Sequence, residues 1–246
     1  MRWSDGSAGG IGRALERWLL PAECLLCREP VQGADADALV CDLCRARWRR
    51  IPPPWCARCG QPGLEGIACR LCAEWPAALA RVRSAVWLDG GARDVVHALK
   101  YDGWWRAAEA MAAAMRDLEP LTGRLFLVPI PLGRARLRRR GYNQAERLAT
   151  ALAAHLRAPV CAGLLRRCRE TPTQTALTPE ARHANVSGAF AAAGALPGAR
   201  CVLVDDVFTT GATLAAAAEA LAAAGAALVE AVTFARAPLP VALDHN

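Results

Sequence analysis

Eight of the eleven cysteines fall between positions 24 and 72 as four C-x-x-C pairs: Cys24/Cys27, Cys41/Cys44, Cys56/Cys59 and Cys69/Cys72. Two-residue spacing within a tight turn lets both thiolates face one tetrahedral ion, and two such pairs close a structural four-cysteine zinc site. Disulfides are the competing reading, but nothing in the chain suggests export, and paired C-x-x-C motifs in a cytosolic setting point to metal. A redox function would place one pair beside a βαβ unit rather than four pairs in a row. Iron-sulfur ligation is a lesser alternative. The gaps between pairs, Arg28 to Val40 and Gly60 to Ala68, suit one ribbon hairpin each, which gives two zinc ions held in sequence order; nested pairing stays open. So small a region has little apolar core of its own, and the metal is expected to supply its folding energy.

The cysteine pattern ends at Pro76, which divides the 246 residues into a region 1–76, an N-terminal helix followed by a double zinc ribbon, and a larger domain 77–246. The stretch "IPPPW" (Ile51 to Trp55) is a stiff spacer between the ribbons. Ahead of them, Arg13, Glu16 and Arg17 interrupt the apolar patch, so it reads as a short amphipathic helix rather than a secretory segment. No uncharged apolar run is long enough to span a bilayer. The expected location is the cytoplasm.

The formal net charge of +7 lies almost wholly in the larger domain, and Arg134 to Arg147 alone carries six arginines against Glu146. Such a concentration implies an anionic partner, either phosphate on a small molecule or a nucleic-acid backbone, with a solvated arginine-rich loop as the plain alternative. Lys100 is the one lysine among the 30 cationic side chains, which marks a position that needs a compact ammonium.

From Arg81 onward, strand-like runs ("RVRSAVWLD", "RLFLVPIPL", "CVLVDD", "ALVEAVTFARA") alternate with helical ones ("GARDVVHALKYDG", "WWRAAEAMAAAMRDL", "NQAERLATALAAHL", "TLAAAAEALAAAG"), with a short strand near Ala158 to Cys161 and an irregular polar region after it. This alternation specifies an α/β fold, a parallel sheet with flanking helices, whose ligands bind beyond the carboxyl ends of the strands. Asp205 and Asp206 are expected to terminate one strand there. The turn that follows, Thr209, Thr210, Gly211, Ala212 and Thr213, opens a helix whose free amides and hydroxyls form a cup for a monophosphate. Carboxylates beside such a cup repel the phosphate unless something lies between them. A ribose does this, its diol on Asp205 and Asp206 and its 5′-phosphate in the cup. A threonine N-cap with two exposed aspartates is the plain reading. The turn lacks the lysine of a P-loop, which disfavours triphosphate hydrolysis.

The segment "VLVDDVFTTGATL" resembles the phosphoribosyl pyrophosphate (PRPP) motif of type I phosphoribosyltransferases. The whole chain resembles the ComF family, through its paired cysteines, "HALKYDG", "VPIPLGRARLRRRGYNQAERLA" and "TPTQTALTPEARHANVSGAF" in that order. The resemblance implies a type I phosphoribosyltransferase-like domain with a zinc-ribbon head, associated with natural competence and DNA uptake. It implies that PRPP binds with Mg²⁺, that Arg138, Arg139 and Arg140 are candidates for the pyrophosphate, Arg140 first among them, and that Glu170 to Arg182 forms the active-site flap, with Arg182 and Asn185 as supports. Loss of pyrophosphate creates an oxocarbenium-like transition state, so catalysis needs positive charge on the leaving group and a dry pocket. Lys100 and Arg140 are the expected catalytic donors. His97, His155 and His183 read as surface or packing residues. The acceptor is not encoded in any recognisable signature. The competing function is a competence factor that binds single-stranded DNA through the ribbons, Arg134 to Arg140 and some of Trp48, Trp55, Trp104, Trp105 and Tyr142, with a regulatory or vestigial PRPP pocket and a competence helicase as partner.

Overall fold

A computed structural model describes residues 23–31, 39–63, 69–169 and 188–238. The expected N-terminal helix, the flap from Glu170 to Arg182, His183 and Asn185 lie outside the described residues. In chain order the elements are α1 (Asp42–Ala46), β1 (Leu79–Trp87), α2 (Gly90–Tyr101), α3 (Ala107–Met115), a 3-10 turn (Glu119–Leu121), β2 (Phe126–Pro129), α4 (Arg134–Arg140), α5 (Gln144–Leu156), β3 (Leu165–Arg167), β4 (Phe190–Ala192), β5 (Arg200–Phe208), α6 (Ala212–Ala223) and β6 (Leu228–Arg236).

Four strands form a parallel sheet in the order β1-β6-β5-β2. The central strands β5 and β6 are covered on both faces, which is why they read as nearly continuous apolar runs rather than alternating ones. On one face, α2, α3 and α5 bury Val95, Leu99, Met111, Met115, Leu148 and Leu152 against Val202, Val204, Val232 and Phe234. The other face receives α6, whose Ala215, Ala217 and Ala218 are fully buried. Alanine here lets the helix backbone approach the sheet closely, while Leu214 and Leu221 supply volume.

The cysteine region shares both cores. Cys24, Cys44 and Trp48 join the cluster under α2 and α3, with Trp48 packed edge-on to Phe234 at 4.9 Å. The second set, Cys56, Cys59, Cys69 and Cys72, joins the cluster under α6 together with Trp75. One ribbon therefore lies against each face of the sheet.

The structure differs from the sequence reading in four places. Arg134–Arg140 is a helix rather than a loop, closed by Gly141 at φ 81°. Asp205 and Asp206 do not end their strand, because β5 continues to Phe208 alongside β6. The strand expected at Ala158 to Cys161 is a single parallel bridge between Val160 and Leu127. The edges of the irregular region form a small antiparallel pair, β3 with β4.

Candidate functional site

The carboxyl ends of β5 and β2, the last turn of α2 and the first turn of α5 converge on Asp206. This side chain is 3% exposed and forms an ion pair with the Lys100 ammonium from α2. Gln144, at the start of α5, donates from Nε2 to Asp206 Oδ1 at 3.3 Å, and its Oε1 in turn accepts from Arg140. A continuous polar chain thus runs Arg140–Gln144–Asp206–Lys100. Of the two cationic residues expected to act in catalysis, Lys100 meets the Asp206 carboxylate directly and Arg140 reaches it through Gln144.

Local sequence accounts for each position. Asn143 caps α5, its side chain accepting from the Ala145 amide at 3.1 Å and donating to the Ile130 carbonyl at 3.0 Å, so the helix start is pinned to the end of β2. Tyr142 donates to the Leu99 carbonyl and ties that same turn to α2, one residue before Lys100. Arg140 lies over the Tyr101 ring at 5.4 Å. Arg138 and Arg139 project from the exposed surface of α4.

The two adjacent aspartates are electrostatically unlike. Burial pushes Asp206 up, but Lys100, the Asp205 carboxyl and Gln144 outweigh it and hold the group below its ordinary range. Asp205, half-buried beside that charge, is pushed well above the usual carboxylate range by burial and by Asp206. Its Oδ1 accepts from the Asp206 amide at 2.9 Å. Lys100 loses solvation on burial, yet the Asp206 charge raises its ammonium above the ordinary lysine value. The pair is thus charged on both sides at neutral pH, and Asp205 is the carboxyl left accessible to a ligand.

Beyond Phe208 the chain turns through Thr209 and Thr210 to Gly211, which caps α6 at φ 85°, a conformation that disfavours any side chain. The amides that open a helix have no intrahelical partner, and here they lie at the carboxyl edge of the sheet. Thr210 Oγ1 is buried with no hydrogen-bond partner among the described residues. A buried hydroxyl with no partner among the described residues, beside the opening turn of a helix, is a site that an anion would satisfy. Thr209 is exposed, and Thr213 and Ala212 lie in the first turn of α6.

The eight cysteines form two groups, Cys24/Cys27/Cys41/Cys44 and Cys56/Cys59/Cys69/Cys72, and within each the four sulfurs lie within 4.8 Å of one another. A tetrahedral zinc with ~2.3 Å bonds to sulfur spaces its ligands by roughly 3.8 Å. The separations of 3.8 Å for Cys27–Cys41, 3.7 Å for Cys56–Cys72 and 3.5 Å for Cys59–Cys69 fit that geometry. All eight thiols are free, and pairing follows sequence order, not the nested alternative. Burial pushes the Cys56 thiol up, but the amides of Cys59 and Arg58 bring it down to about 7, which suits a thiolate ligand.

Gln144, Trp75 and Arg58 are participants that the sequence reading did not single out. Gln144 was within reach, since it closes the "RRRGYNQ" run already noted for its charge. The other two become visible only when the ribbon is seen against the sheet.

Fold and site together define a phosphoribosyltransferase domain joined to a double zinc ribbon, and comparison with known proteins agrees. Residues 140–243 match the phosphoribosyl transferase domain, and residues 15–73 match the double zinc ribbon domain. The chain is 34% identical over 222 residues to the DNA utilization protein YhgH of Salmonella typhi, covering 86% of this chain and 95% of that one. It is 29% identical over 203 residues to competence protein ComFC of Bacillus subtilis, 78% and 81% of the two chains, and 41% identical over 91 residues to competence protein F of Haemophilus influenzae, 36% and 40%. The chain belongs to the ComF family. Among the described residues no helix is long and apolar enough to cross a membrane.

Proposed function

We propose that the protein binds PRPP at the β5–α6 turn and transfers its phosphoribosyl group to an acceptor, in the service of DNA uptake or use. The 5′-phosphate sits on the opening amides of α6 and the Thr209–Thr213 hydroxyls. Asp205 takes the ribose diol from the exposed side. Asp206 is committed to Lys100 and Gln144 and fixes their positions, so of the two carboxylates expected to grip the ribose it is the one that acts through its neighbours. Arg140 and Lys100 approach from the opposite side and stabilise charge as pyrophosphate departs from C1. Mg²⁺, carried by the diphosphate, would neutralise part of that charge. The observation that carries this reading is the buried Thr210 hydroxyl, without a hydrogen-bond partner among the described residues, at the foot of a helix whose preceding strand carries two adjacent acids near its carboxyl end.

Calorimetric titration of PRPP with Mg²⁺ tests it, on the wild type and on Asp205→Asn/Asp206→Asn, with circular dichroism to verify folding. Binding is expected in the wild type and lost in the folded double variant, with zinc content unchanged; equal affinities would defeat the assignment. Release of pyrophosphate on adding an acceptor then separates a transferase from a PRPP sensor.

A second reading, contact with single-stranded DNA, is favoured by one feature. Trp104 and Trp105 are 45% and 43% exposed, and Arg147 lies over the Trp105 ring at 4.7 Å, beside the basic α4. Stacking on such rings with arginines tracking the backbone is a sequence-tolerant way to hold unpaired bases. Trp48 is excluded from that role by its burial, and Tyr142 is committed to α2. A competence helicase as partner belongs to the same reading.

A further inference from the structure

The rear wall of the proposed phosphate turn is not made by the sheet domain. It is made by Trp75, three residues after the last cysteine of the second cluster. A methyl group placed on Gly211 would collide with the Trp75 ring, meeting Cε2 at 2.9 Å, and would also come within 3.1 Å of Phe208. The indole Nε1 donates to the Thr210 carbonyl at 3.3 Å, and the ring meets Phe208 edge-on at 5.9 Å. Both residues that shape the start of α6 therefore rest on one side chain, itself 8% exposed.

Trp75 is in turn held by the ribbon. Its amide donates to the Cys72 carbonyl at 3.2 Å, and the Cys72 amide donates to the Cys69 carbonyl at 3.3 Å. Arg58, between the ligands Cys56 and Cys59, donates to the carbonyls of Cys72 at 3.0 Å, Trp75 at 3.1 Å and Pro76 at 2.6 Å, and lies 5.8 Å from the centre of the Trp75 ring. A second link runs through Arg236 at the end of β6. It is 1% exposed, donates to the Cys59 carbonyl at 2.7 Å and to Gln61 Oε1 at 2.7 Å, and covers the Phe208 ring at 4.5 Å. The first cluster makes no comparable approach among the described residues. Its neighbour Leu26 packs on Gly91, at the far end of α2 from Lys100, and Trp48 packs on Phe234.

We propose that Trp75 is a positioning residue for the β5–α6 anion turn and that occupancy of the Cys56/Cys59/Cys69/Cys72 site, not of the other cluster, sets whether that turn is formed. A four-cysteine ribbon owes much of its folding energy to its metal, so emptying this site releases Arg58 and Trp75 together and leaves Gly211 and Thr210 without support. The ligand consequence rests on the PRPP reading; the coupling of ribbon to turn does not.

The test uses full-length, zinc-loaded protein and three variants: Trp75→Phe, Cys72→Ser and Cys44→Ser. Hydrogen exchange over residues 208–216 reports the turn directly, and zinc is counted for each protein. Trp75→Phe removes the Nε1 donor and the ring edge against Gly211 while sparing every metal ligand. It is expected to retain both zinc ions, to speed exchange in 208–216 by about tenfold, and to weaken ribose 5-phosphate binding by about tenfold, the scale of one lost hydrogen bond with its packing. Pyrophosphate binding, which falls to Arg140 and Lys100, is expected to change by less than about twofold, the difference a general loss of stability would not produce. Cys72→Ser should lose one zinc and show the same exchange signature. Cys44→Ser should lose one zinc and leave 208–216 protected. Unchanged exchange in 208–216 for both Trp75→Phe and Cys72→Ser overturns the coupling, as does equal deprotection in Cys44→Ser. Absence of sugar-phosphate binding by the wild type overturns the PRPP reading instead, and the exchange data still decide the coupling.

Discussion

Replacing Lys100 with methionine removes the cation from the Asp206 pair while nearly preserving side-chain volume, so the change is electrostatic rather than a cavity. Were the pair exposed, its loss would cost roughly 0–1 kcal/mol. It is not: the side chains are 21% and 3% exposed, so the stripped carboxylate cannot be resolvated, and Gln144 remains as a side-chain donor to it at 3.3 Å. Loss of one partner from a buried pair costs about 3–5 kcal/mol. For a protein of this size that lowers Tm by roughly 6–20 °C. Asp206 is held below its ordinary 3.8 and Lys100 above its ordinary 10.5, so the pair's contribution is present between those values, is lost as pH falls through the depressed carboxylate value, and is lost at the alkaline end as pH rises through the elevated ammonium value. Urea unfolding of wild type and Lys100→Met at pH 7 and pH 3 measures it. A large gap at pH 7 that shrinks at pH 3, with most of the loss recovered in Lys100→Met/Asp206→Asn, is expected. A gap under about 1 kcal/mol at pH 7 would refute a buried, charged pair.

Three other outcomes follow from the geometry. Asp205 has a raised folded value, so its ionisation opposes folding above 3.8; Asp205→Asn should become progressively more stable than wild type as pH rises from 4, and a constant difference across that range would contradict the assignment. Because each cysteine cluster shares a core with one face of the sheet, chelating zinc should lower the unfolding midpoint of the phosphoribosyltransferase domain as well as loosen the ribbons, which differential scanning calorimetry resolves; an unchanged main transition would mean the ribbons are independent units. Trp104→Ala/Trp105→Ala should weaken binding of a thymidine oligonucleotide by about tenfold or more, the scale of one to three kcal/mol per stacked base, while leaving PRPP titrations unaltered, and unchanged oligonucleotide binding would remove these rings from the DNA reading.

Much of the site could be read from sequence because its chemistry is concentrated in short segments. The cysteine spacing specified two four-cysteine clusters, and the apolar run through Asp205 and Asp206 before a T-T-G-x-T turn pointed to the candidate anion site near the carboxyl end of β5. Even the single lysine proved informative, since Lys100 sits on Asp206. Two kinds of feature were harder. The charge of Arg134–Arg140 points to an anionic partner or a solvated loop and says nothing of a helix, which Arg, Ala and Leu as good helix formers and Gly141 as a ready C-cap favour. Trp75 lies 135 residues from the carbonyl it supports, so its role is set by how the ribbon docks, which no local pattern encodes. Likewise Asp206 could be placed near the strand end but not assigned an inward direction, because its orientation depends on partners from α2 and α5.

The central claim is that a sugar phosphate binds where β5 turns into α6. A crystal structure of the zinc-loaded protein soaked with ribose 5-phosphate tests this most directly. The account predicts the phosphate on the amides of residues 211–214 within hydrogen-bond reach of Thr210 Oγ1, and the ribose diol on Asp205. Density for the ligand elsewhere, or a Thr210 hydroxyl still without a partner beside an empty turn, would contradict it.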